Sequence, residues 1–199
     1  MTGEAVYMAG IWRPVMALIV ASAVIMGSPG PSTISATAVG AAFGFWRSLR
    51  YVSGLIAGTI GVLLAVAVGV VAFVLAIPHG ARVLEGVAIA YIVVLAFRIA
   101  MAPPLDSQAR PAVAPGFAGG FLLAIANPKA YLAIAAVFAG STILAENHGL
   151  DAVVKTACLG IMIVVIHLGW LSAGASLSRV LHDPVSSRLV NVSLAVLLV

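Results

Sequence analysis

Long apolar runs, broken at intervals by proline, glycine and a few charged residues, dominate this sequence of 199 residues. Six of them approach the roughly 20 apolar residues that a helix needs to cross the hydrocarbon core of a bilayer. The runs cover residues 12–26, 51–77, 82–101, 117–144, 152–173 and 187–199. The sixth has only 13 residues, which is short for a complete crossing. The pattern predicts an all-α integral membrane protein with about six transmembrane helices.

Composition indicates that lipid is the main solvent of the chain. Hydrophobic residues make up 63% of the sequence and charged residues 8%, whereas a soluble domain carries about 25% charged residues. The net charge is +4, but the Lys and Arg residues are scattered singly between apolar runs. We therefore expect the lipid bilayer and no nucleic acid as partner. A single cysteine, Cys158, excludes an intramolecular disulfide, and we expect no metal and no cofactor.

The distribution of Lys and Arg predicts the orientation, because cytoplasmic loops carry the excess of positive charge. Six arginines follow the first, third and fifth runs: Arg47, Arg50, Arg98, Arg110, Arg179 and Arg188. Three basic residues belong to the opposite side: Arg13, Arg82 and Lys155. The arginine-rich loops are therefore predicted to be cytoplasmic, and both termini to lie outside.

Two proline interruptions divide the chain into similar halves. One is the segment Ser28, Pro29, Gly30, Pro31 and Ser32 after the first run, and the other is Asn127, Pro128 and Lys129 inside the fourth. A repeat with an odd number of crossings reverses its direction in the membrane, so two three-helix halves form an inverted repeat. We predict a first repeat at 1–105, a cytoplasmic connector at 106–116 and a second repeat at 117–199.

The two interruptions are also the candidate substrate-binding site. Non-helical backbone at membrane depth is tolerated only where protein or a cavity covers it. Asn127 before Pro128 reads as an N-cap followed by the first helical residue, and Ser28 or Ser32 would cap the matching helix of the first half. Free N–H groups and the positive dipole end of both helices suit a substrate carboxylate. The candidate substrate-binding residues are Ser28, Pro29, Gly30, Pro31, Ser32, Asn127, Pro128 and Lys129.

The same interruptions are also compatible with purely structural roles. They would then be ordinary kinks or turns, and Lys129 would extend its side chain to a membrane interface. Polar residues around the first interruption, including Thr33 and Ser35, would form the wall of a cavity or bond to local carbonyls. The glycines Gly40, Gly44, Gly54 and Gly58 fit close helix packing, with a homodimer interface or a moving gate as the alternative.

These motifs resemble the LysE/RhtB family of amino-acid exporters. The resemblance rests on the segments at 28–31, 119–121 and 127–130, on Gly54, Gly58 and Gly61 of the second run, and on Tyr91 and Phe97–Arg98 in the third. It implies a secondary transporter that exports amino acids or related small metabolites across the bacterial cytoplasmic (inner) membrane, driven by the proton gradient. A non-transporting anchor or assembly subunit and, less favoured, a membrane-embedded enzyme are the alternatives.

The resemblance is incomplete where the coupling ion would bind. Family members often carry an acidic residue in the second span, but Thr59 is the most polar residue of 54–69 here. Glu85 is the one carboxylate within a predicted span, and His167 lies inside the fifth. These two residues are candidates for proton coupling. The alternatives are that Glu85 pairs with Arg82 and that His167 has a structural role. Without a carboxylate in the predicted site, a neutral substrate is favoured over a strongly cationic one.

Overall fold

The computed structural model describes residues 3–69 and 114–180, and single helical positions at 86, 89, 90, 93, 94, 96, 97, 192, 193 and 196. All regular structure in these parts is helical, which confirms the predicted all-α class. The bounded helices are α1 (Gly3–Ile25), α2 (Pro31–Phe43), α3 (Phe45–Ala67), α4 (Phe117–Ala126), α5 (Pro128–Ala139) and α6 (His148–Val180). Apart from those positions, the predicted third and sixth spans, with Glu85, lie outside the described residues.

Two of the described helices are long and apolar enough to cross a membrane: α3, and α6 over His148–Leu177. The pair α4 and α5, bent by 62° at a short break, is a third candidate if it counts as one broken span. The apolar part of α1, Ile11–Ile25, is shorter. The described residues thus contain two or three candidate spans, and the total of six stays a prediction.

The helix limits differ from the apolar runs in the first half of the chain. The segment 31–43, which the run assignment left out, forms α2, and α3 begins at Phe45, so Arg47 and Arg50 lie in its first turns and not in a loop. The serine and threonine side chains of α2 interrupt its apolar pattern in the sequence. The Ser35 and Thr37 hydroxyls donate to carbonyls of the preceding turn at 2.9 and 3.1 Å, so they are satisfied inside the helix.

In the second half, the predicted fourth run ends too late and the fifth is too short. Helix α5 ends at Ala139, and α6 extends beyond 152–173 at both ends. Helix α6 begins at His148, before the apolar run, and its first turn carries Asp151. The Asp151 side chain forms a buried ion pair with Lys155 at 2.8 Å.

This ion pair connects the end of α5 to the start of α6. Asp151 accepts hydrogen bonds from the backbone N–H groups of Ile143 and Leu144 at 2.6 and 2.8 Å. Lys155 donates to the carbonyls of Phe138 and Ser141, both at 3.1 Å, and its Nζ lies 4.4 Å from the centre of the Phe138 ring. Both members of the pair are therefore held by further hydrogen bonds, as a buried pair requires.

Gly44 joins α2 to α3 without an intervening loop. Its φ of 76° is in the left-handed region that favours glycine. The Ser48 hydroxyl bonds to the carbonyls of Val39 and Gly44 at 3.0 and 2.6 Å. Among the described residues nothing lies within 4 Å of a β-carbon built on Gly44, so the role that this part of the structure gives it is the turn between α2 and α3.

Glycines let two pairs of helices meet backbone to backbone. Between α3 and α4, a β-carbon on Gly54 would overlap the carbonyl of Phe117, and one on Gly120 would overlap that of Tyr51. Between α2 and α6, a β-carbon on Gly40 would lie 2.7 Å from the Leu171 carbonyl oxygen, and one on Gly174 would overlap that of Thr37. The packing role predicted for Gly40 and Gly54 is confirmed, and Gly58 likewise faces the Phe121 carbonyl.

We expect Gly54→Ala to destabilise the protein by about 1–3 kcal/mol, because the new methyl group forces two helix backbones apart. Thermal unfolding of the purified protein in detergent measures the change. Gly160→Ala is the matched control, since its β-carbon meets no atom of the described residues within 4 Å and alanine favours the helix. Equal melting temperatures for Gly54→Ala and the wild type would contradict this packing.

Candidate functional site

The first interruption ends α1 at Ile25 and starts α2 at Pro31. Gly30 is the N-cap, and its N–H donates to Thr33 Oγ1 at 2.9 Å. The prediction that Ser28 or Ser32 caps this helix is therefore wrong. The Ser28 hydroxyl donates instead to the Ile25 carbonyl at 2.8 Å, so it is not available to the helix start.

The second interruption has the cap that its sequence predicts. Asn127 is the N-cap of α5 and Pro128 its first residue, and Asn127 Oδ1 accepts the Lys129 N–H at 3.1 Å. The other end of the Asn127 amide leaves its own helix: Nδ2 donates to Ser32 Oγ at 2.9 Å, and both side chains are buried. This bond brings the starts of α2 and α5 side by side.

Lys129 connects the same two segments through its ammonium group. Its Nζ donates to the Ser28 carbonyl at 2.5 Å, to Ser28 Oγ at 2.8 Å and to the Pro29 carbonyl at 2.7 Å. Carbonyls only accept, and the Ser28 hydroxyl proton is already donated to Ile25, so Nζ has to supply three hydrogens and is a charged ammonium. We call these three oxygens of Ser28 and Pro29 the ammonium cradle.

Gly30 makes room for this contact. A β-carbon on Gly30 would lie 2.6 Å from Lys129 Cδ and 2.9 Å from Nζ. The backbone of Gly30 is extended, with φ of −174°, so any residue could adopt it. Space for the Lys129 side chain, and not backbone freedom, is therefore what the glycine provides here.

A small cavity of about 40 Å³ lies beside the two helix starts. It is lined by Met26, Gly30, Ser32, Thr33, Thr59, Asn127, Lys129, Ala130, Ala133, Ile134, Ile163, Ile166 and His167. This volume accommodates about three water molecules. Among these described lining residues, Lys129 is the one fixed charge and none is a carboxylate. The backbone N–H groups of Ser32 and Thr33 form no hydrogen bond within the described residues, so the cavity combines free donors with a positive charge.

His167 closes one side of the cavity. Its ring is buried, and Nδ1 lies 2.8 Å from the Ile163 carbonyl oxygen. Since a carbonyl cannot donate, Nδ1 carries a hydrogen, and in a neutral ring Nε2 is then an acceptor. Nε2 is buried with no hydrogen-bond partner in the described part of the chain. His167 thus brings a polar atom without a described partner to the cavity wall.

Four of the eight predicted site residues line the cavity: Gly30, Ser32, Asn127 and Lys129. Ser28 and Pro29 contact the Lys129 ammonium instead, and Pro31 and Pro128 start the two helices without lining the cavity. Ser35 does not line it either and bonds within α2. The apolar wall from α5 and α6 was not predicted. The only sequence feature that indicates this wall is helical spacing: Ile163 lies one turn before His167 and therefore on the same face of the helix.

We expect Asn127 and Ser32 to be energetically coupled. In a double-mutant cycle with Asn127→Ala and Ser32→Ala, the hydrogen bond should appear as a coupling free energy of about 0.5–1.5 kcal/mol of unfolding. Thermal or denaturant unfolding in detergent provides the values. Ser53→Ala is the control, because the exposed Ser53 hydroxyl bonds within its own helix and should show no coupling to Asn127→Ala. Strict additivity for both pairs would argue against the contact.

Comparisons with known proteins agree with this architecture. A sequence profile of the LysE type translocator family matches residues 22–199. The chain is 34% identical over 176 residues to the cysteine/O-acetylserine efflux protein of Salmonella typhimurium (strain LT2), covering 86% of this chain and 87% of that protein. It is 33% identical over 178 residues to the Escherichia coli (strain K12) protein of the same name, with the same coverage.

No solved structure matches the chain. The family match covers nearly all of the chain. The alignments with the two efflux proteins cover almost the whole length of each. These findings remove the membrane-embedded enzyme from the alternatives. The chain belongs to the LysE type translocators and is a membrane exporter.

Proposed function

We propose that this protein exports a small zwitterionic amino acid of the cysteine or O-acetylserine type from the bacterial cytoplasm. The observation that carries the proposal is the meeting of the α2 and α5 starts around Lys129 and Asn127. The names of the matched relatives support the substrate type. The described cavity lining has no carboxylate to attract a second positive charge, which favours a neutral amino acid over a strongly cationic one.

The substrate carboxylate would be held at the helix starts. The N–H groups of Ser32 and Thr33 lie at the positive end of α2, where anions are stabilised. The ammonium of Lys129 adds a full charge in surroundings poor in water, where such a pairing is stronger than at a protein surface. Ser32 and Asn127 keep the two helix starts in register for this contact.

The exporter would work by alternating access between two inverted three-helix repeats in the inner membrane. The interruptions at 28–32 and 127–129 occupy corresponding positions of the two halves, and both begin a helix with a proline at its first turn. Binding at the interface between inverted repeats is common among secondary transporters. The predicted orientation places both termini outside the cell.

His167 would carry the coupling proton. Its unpartnered Nε2 is a ready acceptor, and histidine titrates near physiological pH. The ring lines the same cavity as Lys129, so adding a proton there would repel the ammonium group and any other cation. This connects proton entry with substrate release. Glu85 stays a second candidate, outside the described residues.

We expect cells that express the protein to release labelled cysteine and O-acetylserine faster than cells with an empty vector. Lys129→Met and Asn127→Ala should each reduce the difference about tenfold or more, since a hydrogen bond to a charged group contributes roughly 1.5–3 kcal/mol. Arg50→Met is the matched control: it removes an exposed charge of α3 and should leave efflux unchanged at equal expression.

Equal efflux from wild-type and empty-vector cells, for these two compounds and a wider amino-acid panel, would reject amino-acid export. That result would favour the non-transporting subunit.

For coupling, we expect an acidic exterior to accelerate cysteine efflux from proteoliposomes that contain the wild-type protein. His167→Gln should abolish this acceleration and retain exchange of internal for external cysteine, because exchange needs the binding site but no net proton movement. Efflux at equal internal and external pH serves as the baseline. Full acceleration by the pH gradient in His167→Gln would show that another group carries the proton.

A further inference from the structure

The ammonium cradle can bind a positively charged group, whereas the helix starts described above suit a carboxylate. We propose that the cradle is the receptor for the substrate's α-ammonium group and that Lys129 is a tethered occupant which an amino acid displaces. The freed Lys129 ammonium then binds the substrate's carboxylate. This inference rests on the proposed function, amino-acid export, and specifies how its site discriminates between ligands.

The hydrogen bonds of the Lys129 ammonium require that it leaves the cradle before it can bind a carboxylate. All three N–H bonds of the Lys129 ammonium are donated to Ser28 and Pro29. Lys129 therefore has no hydrogen left for a carboxylate while it occupies the cradle. It can bind one only after it has left the cradle, whose oxygens then need another donor.

The place of Lys129 in the cavity wall favours the same movement. The cavity volume is about 40 Å³, room for a few water molecules, and Lys129 forms part of its lining. The Lys129 side chain packs against Gly30 and forms the part of the cavity wall nearest to that glycine. When Lys129 swings away from the cradle, it vacates the volume that a substrate ammonium would enter.

The cradle accepts hydrogen bonds and offers none. Two of its oxygens are carbonyls, and the proton of the third is committed to Ile25. An ammonium with three N–H groups matches it, and a carboxylate would be repelled. A zwitterion exchanges with Lys129 without loss, because its amine satisfies the cradle and its carboxylate satisfies the displaced lysine.

A ligand with only one of the two groups cannot complete the exchange. An amine without a carboxylate would displace the Lys129 ammonium and leave its charge without a partner, which is costly at membrane depth. A carboxylate without an amine would leave the cradle empty. The exchange therefore makes the site selective for molecules that carry both charges.

Fragments of cysteine test this directly. Binding of cysteamine, which lacks the carboxylate, and of 3-mercaptopropionate, which lacks the amine, is measured by calorimetry on the full chain in lipid nanodiscs under reducing conditions. Lys129→Met should bind cysteamine at least about tenfold more tightly than the wild type, because a competitor tethered at millimolar effective concentration is gone. It should gain no affinity for 3-mercaptopropionate.

Gly30→Ala gives a different signature and changes no charge. Its new methyl group would lie 2.9 Å from the position that the ammonium occupies in the cradle, so it should expel the lysine and also narrow the cradle. The freed Lys129 ammonium should then bind 3-mercaptopropionate more tightly than the wild type does, without a gain for cysteamine. Gly160→Ala, where the added methyl meets no described residue within 4 Å, should keep wild-type affinities.

Unchanged cysteamine affinity in folded Lys129→Met would overturn the proposal. If the lysine variant does not fold, unchanged 3-mercaptopropionate affinity in Gly30→Ala would overturn it. This result is separate from the fate of the proposed function. Absence of cysteine and O-acetylserine binding to the wild type would reject the substrate type. The comparison of cysteamine affinities between variants tests the cradle whichever amino acid is exported.

Discussion

An interrupted helix in an apolar molecule leaves backbone N–H and C=O groups that lipid cannot satisfy. In this protein the two interruptions satisfy each other. The carbonyls freed after α1 receive the ammonium of Lys129 from the second interruption, and the Asn127 amide reaches Ser32 of the first. The first segment supplies oxygen acceptors and the second supplies donors and a positive charge. The candidate site and the selectivity proposed for it both depend on this complementarity.

The glycine contacts explain why the two interruptions can meet at all. Helices α3 and α4 approach backbone to backbone at Gly54 and Gly120, and α2 and α6 do so at Gly40 and Gly174. Each pair joins a helix that borders an interruption to a long helix of the other half of the chain. The positions of the interruptions are thus set by steric contact between main chains, which leaves little freedom for adjustment.

Local features of the site could be predicted from the sequence, and distant ones could not. The cap at Asn127 and Pro128 depends on neighbours and was predicted correctly. The cap of α2 was assigned to Ser28 or Ser32, but the first is bonded to Ile25 and the second accepts from a residue 95 positions away. The start of a helix after the first interruption was predicted, but the apolar runs left out the segment 31–43, which forms α2.

The buried pair of Asp151 and Lys155 has a mechanical consequence. It joins the last turn of α5 to the first turns of α6 through two carbonyls, two N–H groups and an aromatic ring. The far end of α5 is therefore clamped, while its near end carries Asn127 and the 62° bend. If α5 rotated about that bend, the beginning of α6 would have to move with it. The two helices would then move together, with Lys129 close to the axis of rotation.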